Sequence, residues 1–396
     1  MSVKTWAPIL AVAFLGGITS GNTALIVISL AVALVLGLAE FWRRQALTGV
    51  HYQRRFQYLR GFPGEQTDVR IAIENRKHLP LTWLRLADLW PAAANPVDES
   101  LVAPSAVVDR NILTALYSLA GRQRITRAFA IRFRQRGVYT VGPAEITSGD
   151  PFGIFQASRQ LPGAATLTVF PRILPLEAIQ LSAQDPFGDQ AARKRLFEDP
   201  NRPVGIRAYH PEDDFRRVHW AATARTGSLQ VKVYQAVTSQ VMMVYLNVAT
   251  ASQYWLGTRR DLLEQLISIA ATLAYHGIQD GYAVGLVSNG ALAHADRPFH
   301  IPPGRSPAQL STLLEALAAV TPYTTAPFEE YLVRTLPQVS YGATLVVVTS
   351  LVSPALVETL LRLKRYRAHT TLISLAAAAP PDLPGIRTLH LPFDAV

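Results

Sequence analysis

WAPILAVAFLGGITSGNTALIVISLAVALVLGLAEFW, residues 6–42, is the stretch on which the reading of this chain turns. Trp6 to Ser20 carries no charge, Gly21-Asn22 makes a turn-like break, and Thr23 to Trp42 is a second apolar run whose only charge is Glu40. The second run has the roughly 20 residues that a helix needs to cross a bilayer. In lipid every backbone group must be satisfied within its own segment, so a run this apolar is read as helix despite its β-branched residues. The first run is shorter and holds Gly16-Gly17, which suits a tilted or interfacial span. A signal peptide is its rival, with Lys4 as a thin basic start but no small-x-small cleavage site behind it.

Basic flanks stay on the cytoplasmic side. Lys4 precedes the first run and Arg43-Arg44 follow the second. Residues 1–44 are therefore expected to form a transmembrane helical hairpin, multi-pass, with the large C-terminal part in the cytoplasm. The 45–172 segment that follows is strongly basic, with 16 Lys and Arg against 9 Asp and Glu out of a whole-chain net of +10. A basic domain beside a membrane is drawn to anionic headgroups. The expected partner of that charge is the lipid bilayer, with no nucleic acid expected; ordinary solubilising charge is the plain alternative. No cysteine is present, which excludes disulfides and thiolate metal sites, and 396 residues leave room for two or three domains.

Between 45 and 172 the hydrophobic period falls to two. Val69, Ile71 and Ile73 alternate with Asp68, Arg70 and Glu74, and Phe129, Ile131 and Phe133 alternate with Ala130, Arg132 and Arg134. Such alternation is the mark of half-buried strands. Val138 to Val141 and Leu167 to Phe170 are further short candidates, and turn signals at Pro63-Gly64, Asn75 to His78, Gly142-Pro143 and Asp150-Pro151 separate them. An all-β sandwich is the economical architecture. Asp-Pro-Phe-Gly occurs twice, at Asp150–Gly153 and Asp185–Gly188, and is read as two tight turns with an apolar plug.

Charged and aromatic residues are densest in GIRAYHPEDDFRRVHWAATARTGSLQVKVY, residues 205–234. Pro211 can open a helix, Glu212, Asp213 and Asp214 suit its positive first turn, and Gly227 can end it. Asp213 and Arg217 then pair on one face, Phe215, Val218, His219 and Ala222 form a stripe, and Trp220 lies beside Arg216. Large residues on both faces predict a helix clamped between two surfaces. The preferred role is an interdomain clasp of ion pairs, ahead of partner binding and of acid–base or phosphate chemistry. His210, Asp214 and His219 lack any established metal-ligand spacing.

From Val241 onward apolar strands alternate with amphipathic helices. Strands are expected at Val241–Leu246, Tyr282–Val287, Thr344–Thr349 and Thr370–Ser374, and helices at Arg259–His276, Pro307–Ala319, Pro327–Leu336 and Pro354–Tyr366. This pattern predicts an α/β doubly wound parallel sheet over 236–396, with ligands expected outside the carboxyl ends of the strands. The loop after Leu246, Asn247 to Ser252, holds no phosphate-cradling glycines and no carboxylate.

Several linked motifs carry a resemblance. They are Arg136-Gly137-x-Tyr139-x-x-Gly142-Pro143, Asp150-Pro151-Phe152-Gly153-x-Phe155 and Val169-x-Pro171, then Arg207-x-Tyr209, Asp213-Asp214, Arg217-x-His219-Trp220, Thr223-Ala224-Arg225 and Val231-Lys232. In this order they resemble the bacterial membrane proteins of the domain-of-unknown-function family numbered 58. The resemblance implies a two-helix anchor in the bacterial inner membrane, a β-sandwich over 45–172, a linker and signature segment over 173–235, and a von Willebrand factor A-like domain over 236–396. It also implies a MoxR-type AAA+ ATPase as partner, in chaperone-like assembly or maturation of other proteins. Family members usually carry Gly where this chain has Glu212. A von Willebrand A-type metal loop reads Asp-x-Ser-x-Ser, because hard cations want carboxylate and hydroxyl oxygens. This chain has Asn247, Ala249 and Ala251 there, so neither metal nor cofactor is expected.

The expected function is a non-enzymatic, membrane-anchored scaffold or adaptor. Its partner-binding candidates are Arg207, Tyr209, Asp213, Asp214, Arg217, His219, Trp220, Arg225 and Lys232. One alternative is a hydrolase or transferase centred on Asp213, Asp214 and His219, against which stand the missing P-loop, nucleophile elbow and metalloprotease helix. The other is an outward-facing, metal-independent protein-binding module.

Overall fold

A computed structural model describes residues 3–179, 197–211, 213–237, 241–252, 257–293, 295, 297–339, 342–363 and 369–393. The second Asp-Pro-Phe-Gly, Glu212 and the far end of the helix expected to reach Tyr366 lie outside them. Two compact units divide the chain, Met1–Phe170 and Pro171–Val396.

The first unit opens with two helices, α1 (Val3–Thr19) and α2 (Thr23–Ala46). Asn22 breaks the run between them by accepting the Leu25 N–H at 3.2 Å, an N-cap that starts α2. The pair is antiparallel, since Trp6 and Leu10 of α1 pack where α2 buries Leu36 and Ala39. Most of α2 faces outward, with Val27, Leu30, Leu34, Leu38 and Phe41 exposed. It is the one helix among the described residues that is long and apolar enough to cross a membrane; the apolar part of α1, Trp6–Thr19, is shorter. Charge does not end α2 at Trp42. Glu40 pairs with Arg43 at 2.7 Å and Arg44 at 2.8 Å, and Lys77 donates to the Gln45 carbonyl at 2.6 Å and to that of Ala46, two of the carbonyls that a helix end leaves open.

Twelve strands follow: β1 (Val50–Phe56), β2 (Arg60–Gly61), β3 (Gln66–Asn75), β4 (Leu81–Pro91), β5 (Ala94–Pro96), β6 (Val102–Pro104), β7 (Arg110–Leu119), β8 (Arg124–Phe133), β9 (Gly137–Val141), β10 (Ala144–Gly149), β11 (Gln156–Leu161) and β12 (Ala165–Val169). They form sheets in the orders β1-β3-β8-β5, β11-β10-β4-β7-β6 and β2-β12-β9. The alternation seen in sequence has its cause here: Val69, Ile71, Ile73, Ile131 and Phe133 of the first sheet share one core with Leu84, Leu86, Leu113 and Ile146 of the second. Trp90 is fully buried in that core, against Phe56 and Phe129 at ring distances of 5.9 and 5.7 Å.

In the second unit a 3-10 helix (Leu176–Ile179) precedes an antiparallel ladder, β13 (Phe197–Ala208) with β14 (Gln230–Val237), and between those strands stand a one-turn 3-10 helix (Phe215–Arg217) and α3 (Trp220–Thr226). Then come β15 (Val241–Leu246), α4 (Arg260–Gln279), β16 (Ala283–Ser288), β17 (Gly290–Leu292), β18 (Phe299–Gly304), α5 (Pro307–Ala319), β19 (Val320–Thr324), α6 (Phe328–Thr335), β20 (Thr344–Thr349), α7 (Pro354–Leu363), β21 (His369–Ser374) and β22 (Arg387–His390). The main sheet has the order β18-β16-β15-β20-β21-β22. All its pairings are parallel except that of β18, an antiparallel edge whose Pro302 and Pro303 masked it in the sequence pattern. Strand parity divides the core. Met243, Tyr245, Leu345 and Val347 pack against Leu332 of α6 and Leu360 of α7, whereas Met242 and Val284 press on α4 so closely that a Cβ at Gly277 would stand 2.2 Å from Met242 Cε.

Candidate functional site

Two groups of residues singled out in the sequence occupy distinct places in the second unit. The first is the signature block on the β13–β14 ladder. The continuous helix expected from Pro211 does not form. Asp214 accepts the Arg216 N–H at 3.0 Å and caps the 3-10 turn, Val218 bridges to Val231, and His219 accepts the Ala222 N–H through Nδ1 at 3.0 Å as the N-cap of α3. Two caps five residues apart start two short helices in place of one, because each spends its side chain on a new set of open N–H groups. Gly227, with φ of +69°, then ends α3 at the residue expected to end the helix.

With the helix broken, Asp213 does not reach along it to Arg217. The Arg207 guanidinium grips both carboxylate oxygens, at 2.6 and 2.5 Å, while the His210 N–H donates to Oδ2 at 2.8 Å. Arg207 first, and the His210 N–H after it, hold the Asp213 carboxyl down at about 2. A carboxylate so depressed and so fully engaged has little capacity to accept a proton near neutral pH. His219 likewise spends Nδ1 on its cap and anchors its backbone by donating to the Gln230 carbonyl at 2.7 Å.

What the brace holds outward is aromatic. Tyr209 donates its backbone N–H to Leu229 at 2.9 Å and sets its ring 5.3 Å from that of Phe215. Phe215 is 59% exposed and Trp220 65% exposed. Arg225 is exposed on α3, and Arg217 and Lys232 are half-buried. The surfaces expected to clamp a helix here are thus not supplied by the described residues of the unit, and the large side chains stand open to solvent. The stripe expected to run from Phe215 to Ala222 on one helix is instead broken by the separate caps at Asp214 and His219, which helical periodicity conceals.

The second group is the loop at the carboxyl end of β15. Asn247 and Asn289 are buried and lock together: Asn289 Nδ2 donates to Asn247 Oδ1 at 3.0 Å, the Ala249 N–H donates to the same oxygen at 3.1 Å, and the Val248 N–H donates to Asn289 Oδ1 at 3.0 Å. Asn247 Nδ2 donates to Thr349 Oγ1 at 3.1 Å, and Ser350 Oγ to the Ala249 carbonyl at 2.9 Å. Amides and backbone satisfy one another where an Asp-x-Ser-x-Ser loop would aim oxygens outward, and Ala249 and Ala251 offer no side-chain oxygen at all. These residues do not fit a divalent cation. Asn289, Thr349 and Ser350 escaped notice in the sequence. The available signal was a polar residue placed directly after an apolar strand at Ser288-Asn289 and Thr349-Ser350. Among the described residues no three His, Cys, Asp or Glu side chains gather as a metal site.

The chain thus combines a helical hairpin, a β unit and a mostly parallel sheet preceded by the braced ladder that carries the Arg207–Lys232 block. Residues 205–392 match the family described as "Protein of unknown function DUF58", in agreement with the resemblance that this block carries. The chain is also 19% identical over 227 residues to the "Uncharacterized protein YeaD" of Bacillus subtilis (strain 168), a match covering 57% of this chain and 52% of that protein. It thus spans about half the length of that curated relative. Among solved structures it is similar to the CARDB domain of PF1109 from Pyrococcus furiosus, at 9% identity over 30% of this chain and 91% of that one, with a TM-score of 0.20. A cohesin module from a Clostridium perfringens family 33 glycoside hydrolase gives 13% identity, 31% and 97% coverage and a TM-score of 0.22. Likenesses this weak leave the fold to be read from its own strands.

Proposed function

We propose that this chain is a non-catalytic docking scaffold, anchored in the bacterial inner membrane by α1 and α2, that presents the signature block to a protein partner. The observation that carries the reading is the pair Phe215 and Trp220, each more than half exposed on a turn that Arg207, Asp213, Asp214 and His219 brace from beneath. Aromatic side chains held rigidly and left uncovered are the anchors that protein interfaces favour, since little conformational freedom remains to be lost on binding. Exposed Arg216 and Arg225 around them suit an acidic rim on the partner.

In this reading α2 crosses the bilayer and α1 returns beside it, so that Lys4 and Arg43-Arg44 both lie on the cytoplasmic side. The parallel sheet acts as a von Willebrand factor A-like module that works without a metal, and the partner is a MoxR-type AAA+ ATPase engaged in assembling or maturing other proteins. The hydrolase or transferase alternative gains nothing from Asp213, whose oxygens Arg207 and His210 occupy.

The test is co-purification from detergent extracts under nucleotide-trapping conditions, with the wild-type chain and a Phe215→Ala/Trp220→Ala variant. Recovery of a MoxR-type ATPase with the wild type, and its loss with the variant, is the expected result. Recovery with neither chain, or equally with both, refutes docking through this face. Digestion of a C-terminal tag by external protease in intact cells would place the module outside and overturn the cytoplasmic assignment.

A further inference from the structure

Asp150–Phe155, the first Asp-Pro-Phe-Gly segment with its two following residues, is wound around a fully buried carboxylate. Asp150 Oδ1 accepts the Phe152 N–H at 2.8 Å and the Ile154 N–H at 3.3 Å, and Oδ2 accepts the Phe155 N–H. The Asp150 carbonyl receives Trp83 Nε1 at 3.1 Å and the Gly153 N–H at 3.2 Å. Gly153, at φ of +73°, takes a conformation that a side chain would strain. A loop tied at this many points holds its side chains in fixed directions.

Those directions are opposite. Phe155 turns inward and is buried against Leu36 and Ala39 of α2, in the same cluster as Trp6 and Leu10 of α1. Phe152 and Ile154 turn outward and are 62% and 43% exposed. The turn that carries these two outward apolar side chains is fastened, through Phe155, to the helix whose exposed Leu34, Leu38 and Phe41 form the apolar surface of the hairpin. Its height on that helix is set by Leu36 and Ala39. Glu40, Arg43 and Arg44 begin directly above, and one turn of helix spans about 5 Å, so the loop meets α2 within roughly a turn of the level where charge returns. With α2 as a span, that level falls at the boundary between acyl chains and headgroups, where amphipathic and aromatic groups settle.

We infer that Asp150–Phe155 is a second membrane contact, which inserts Phe152 and Ile154 into the interfacial layer beside α2 and sets the β unit at a fixed tilt on the bilayer. The buried Asp150 is the positioning residue and the two exposed side chains are the lipid contacts. The inference rests on the reading of α2 as a membrane span.

The chain has no native cysteine, so single cysteines can be labelled without background. Full-length chains carrying Phe152→Cys, Ile154→Cys, Leu34→Cys or Val108→Cys, each bearing an environment-sensitive fluorophore, are reconstituted into vesicles of phosphatidylcholine with phosphatidylglycerol. Quenching by lipids that carry a quencher near the headgroup end of the acyl chain, by lipids that carry it deep, and by aqueous iodide is then compared. Leu34 reports the span itself, and Val108, 84% exposed between β6 and β7, serves as the water reference. The expected result is shallow-lipid quenching at Phe152 and Ile154 several-fold above that at Val108, with deep-lipid quenching at Leu34. Iodide quenching at Phe152 and Ile154 equal to that at Val108, with Leu34 still quenched from the lipid, overturns the inference and leaves the span standing. Absence of lipid quenching at all three sites overturns both.

Discussion

Asp88 of the β unit and Asp213 of the signature block each receive an arginine, from Arg54 at 3.0 Å and from Arg207 at 2.5 Å, in surroundings that could hardly differ more. Asp88 is fully buried, Arg54 is 7% exposed, and Tyr52 and Trp90 add hydrogen bonds to the same carboxylate at 2.6 and 3.1 Å. Arg54 also donates to the Gly163 carbonyl, which joins the strand before the core to the loop after β11. Arg207 is 47% exposed, and its pair with Asp213 holds a turn whose aromatic side chains look outward. One pair keeps a charge satisfied inside a core. The other spends its geometry on presenting a surface.

The largest effect should come from breaking the buried pair. Asp88→Ala leaves the Arg54 guanidinium inside the core without its counter-charge, and such losses cost about 3–5 kcal/mol. Denaturant titration of the detergent-solubilised chain should show it as an earlier loss of the β unit. A joint Asp88→Leu/Arg54→Leu replacement should cost less, since both charges leave together and only the Tyr52 and Trp90 donors lose their acceptor. Equal damage from the single and joint variants would break the contrast by showing that shape, and not the uncompensated charge, sets the penalty.

Next in size is the buried amide network. Asn247→Asp removes the donor to Thr349 Oγ1 and places a full negative charge where Asn289 Nδ2 and the Ala249 N–H donate to the existing side-chain oxygen. A lost buried hydrogen bond with a charge left short of partners predicts a cost of about 1–3 kcal/mol. Added Mg²⁺ should restore none of it, because Ala249 and Ala251 still offer no side-chain oxygen. A rise in melting temperature on adding Mg²⁺ would show that a single carboxylate suffices to reopen the site.

Acidification should separate the two arginine pairs by sign. Burial, the largest influence on Asp88, pushes its carboxyl above the ordinary value despite Arg54, Tyr52 and Trp90. The folded state then holds that proton more tightly than the unfolded one, so this contribution to stability is present at low pH and is lost as pH rises through the folded value. Asp213 is depressed from 3.8 to about 2, so its contribution is present above 3.8 and is lost as pH falls toward 2. The melting-temperature gap between wild type and Asp88→Asn should widen on lowering the pH from neutral, and the gap to Asp213→Asn should narrow. The same sign for both would erase the distinction.

How much of this could be read in advance depended on whether the cause was local. Strands β3 and β8 were legible because burial on one face imposes period two on Val69, Ile71, Ile73 and on Phe129, Ile131, Phe133. Helix α5 was legible to both ends, Pro307 and Ala319, with Ser306 capping it through the Gln309 N–H. The β13–β14 ladder was not, because Pro200 and Pro203 interrupt the alternation and the register shifts around Pro203. In the signature block every residue was named, yet the helix drawn through it was wrong. Acidic residues after Pro211 satisfy the rule for a helix start, and nothing in the composition says that Asp214 and His219 each start a separate one. The Asn247–Asn289–Thr349 network was hidden for a different reason: its members lie 42 and 102 positions apart and meet only once the parallel strands align.

The smallest expected effect on stability tests the outward half of the comparison. Phe215→Ala and Trp220→Ala remove side chains already more than half in water, so each should change the unfolding free energy by no more than about 0.5 kcal/mol. Asp213→Ala should act differently from both. It frees Arg207 and the His210 N–H together, unpins the turn that carries Phe215, and should raise backbone amide exchange from 210 to 217 with the β15–β20 strands unchanged. If the brace exists to present the aromatics, Asp213→Ala and Phe215→Ala should weaken partner capture together, though only the first loosens the turn. A Phe215→Ala variant that captures fully, beside an Asp213→Ala variant that does not, would move the contact from the aromatic tips to the arginine and carboxylate beneath them.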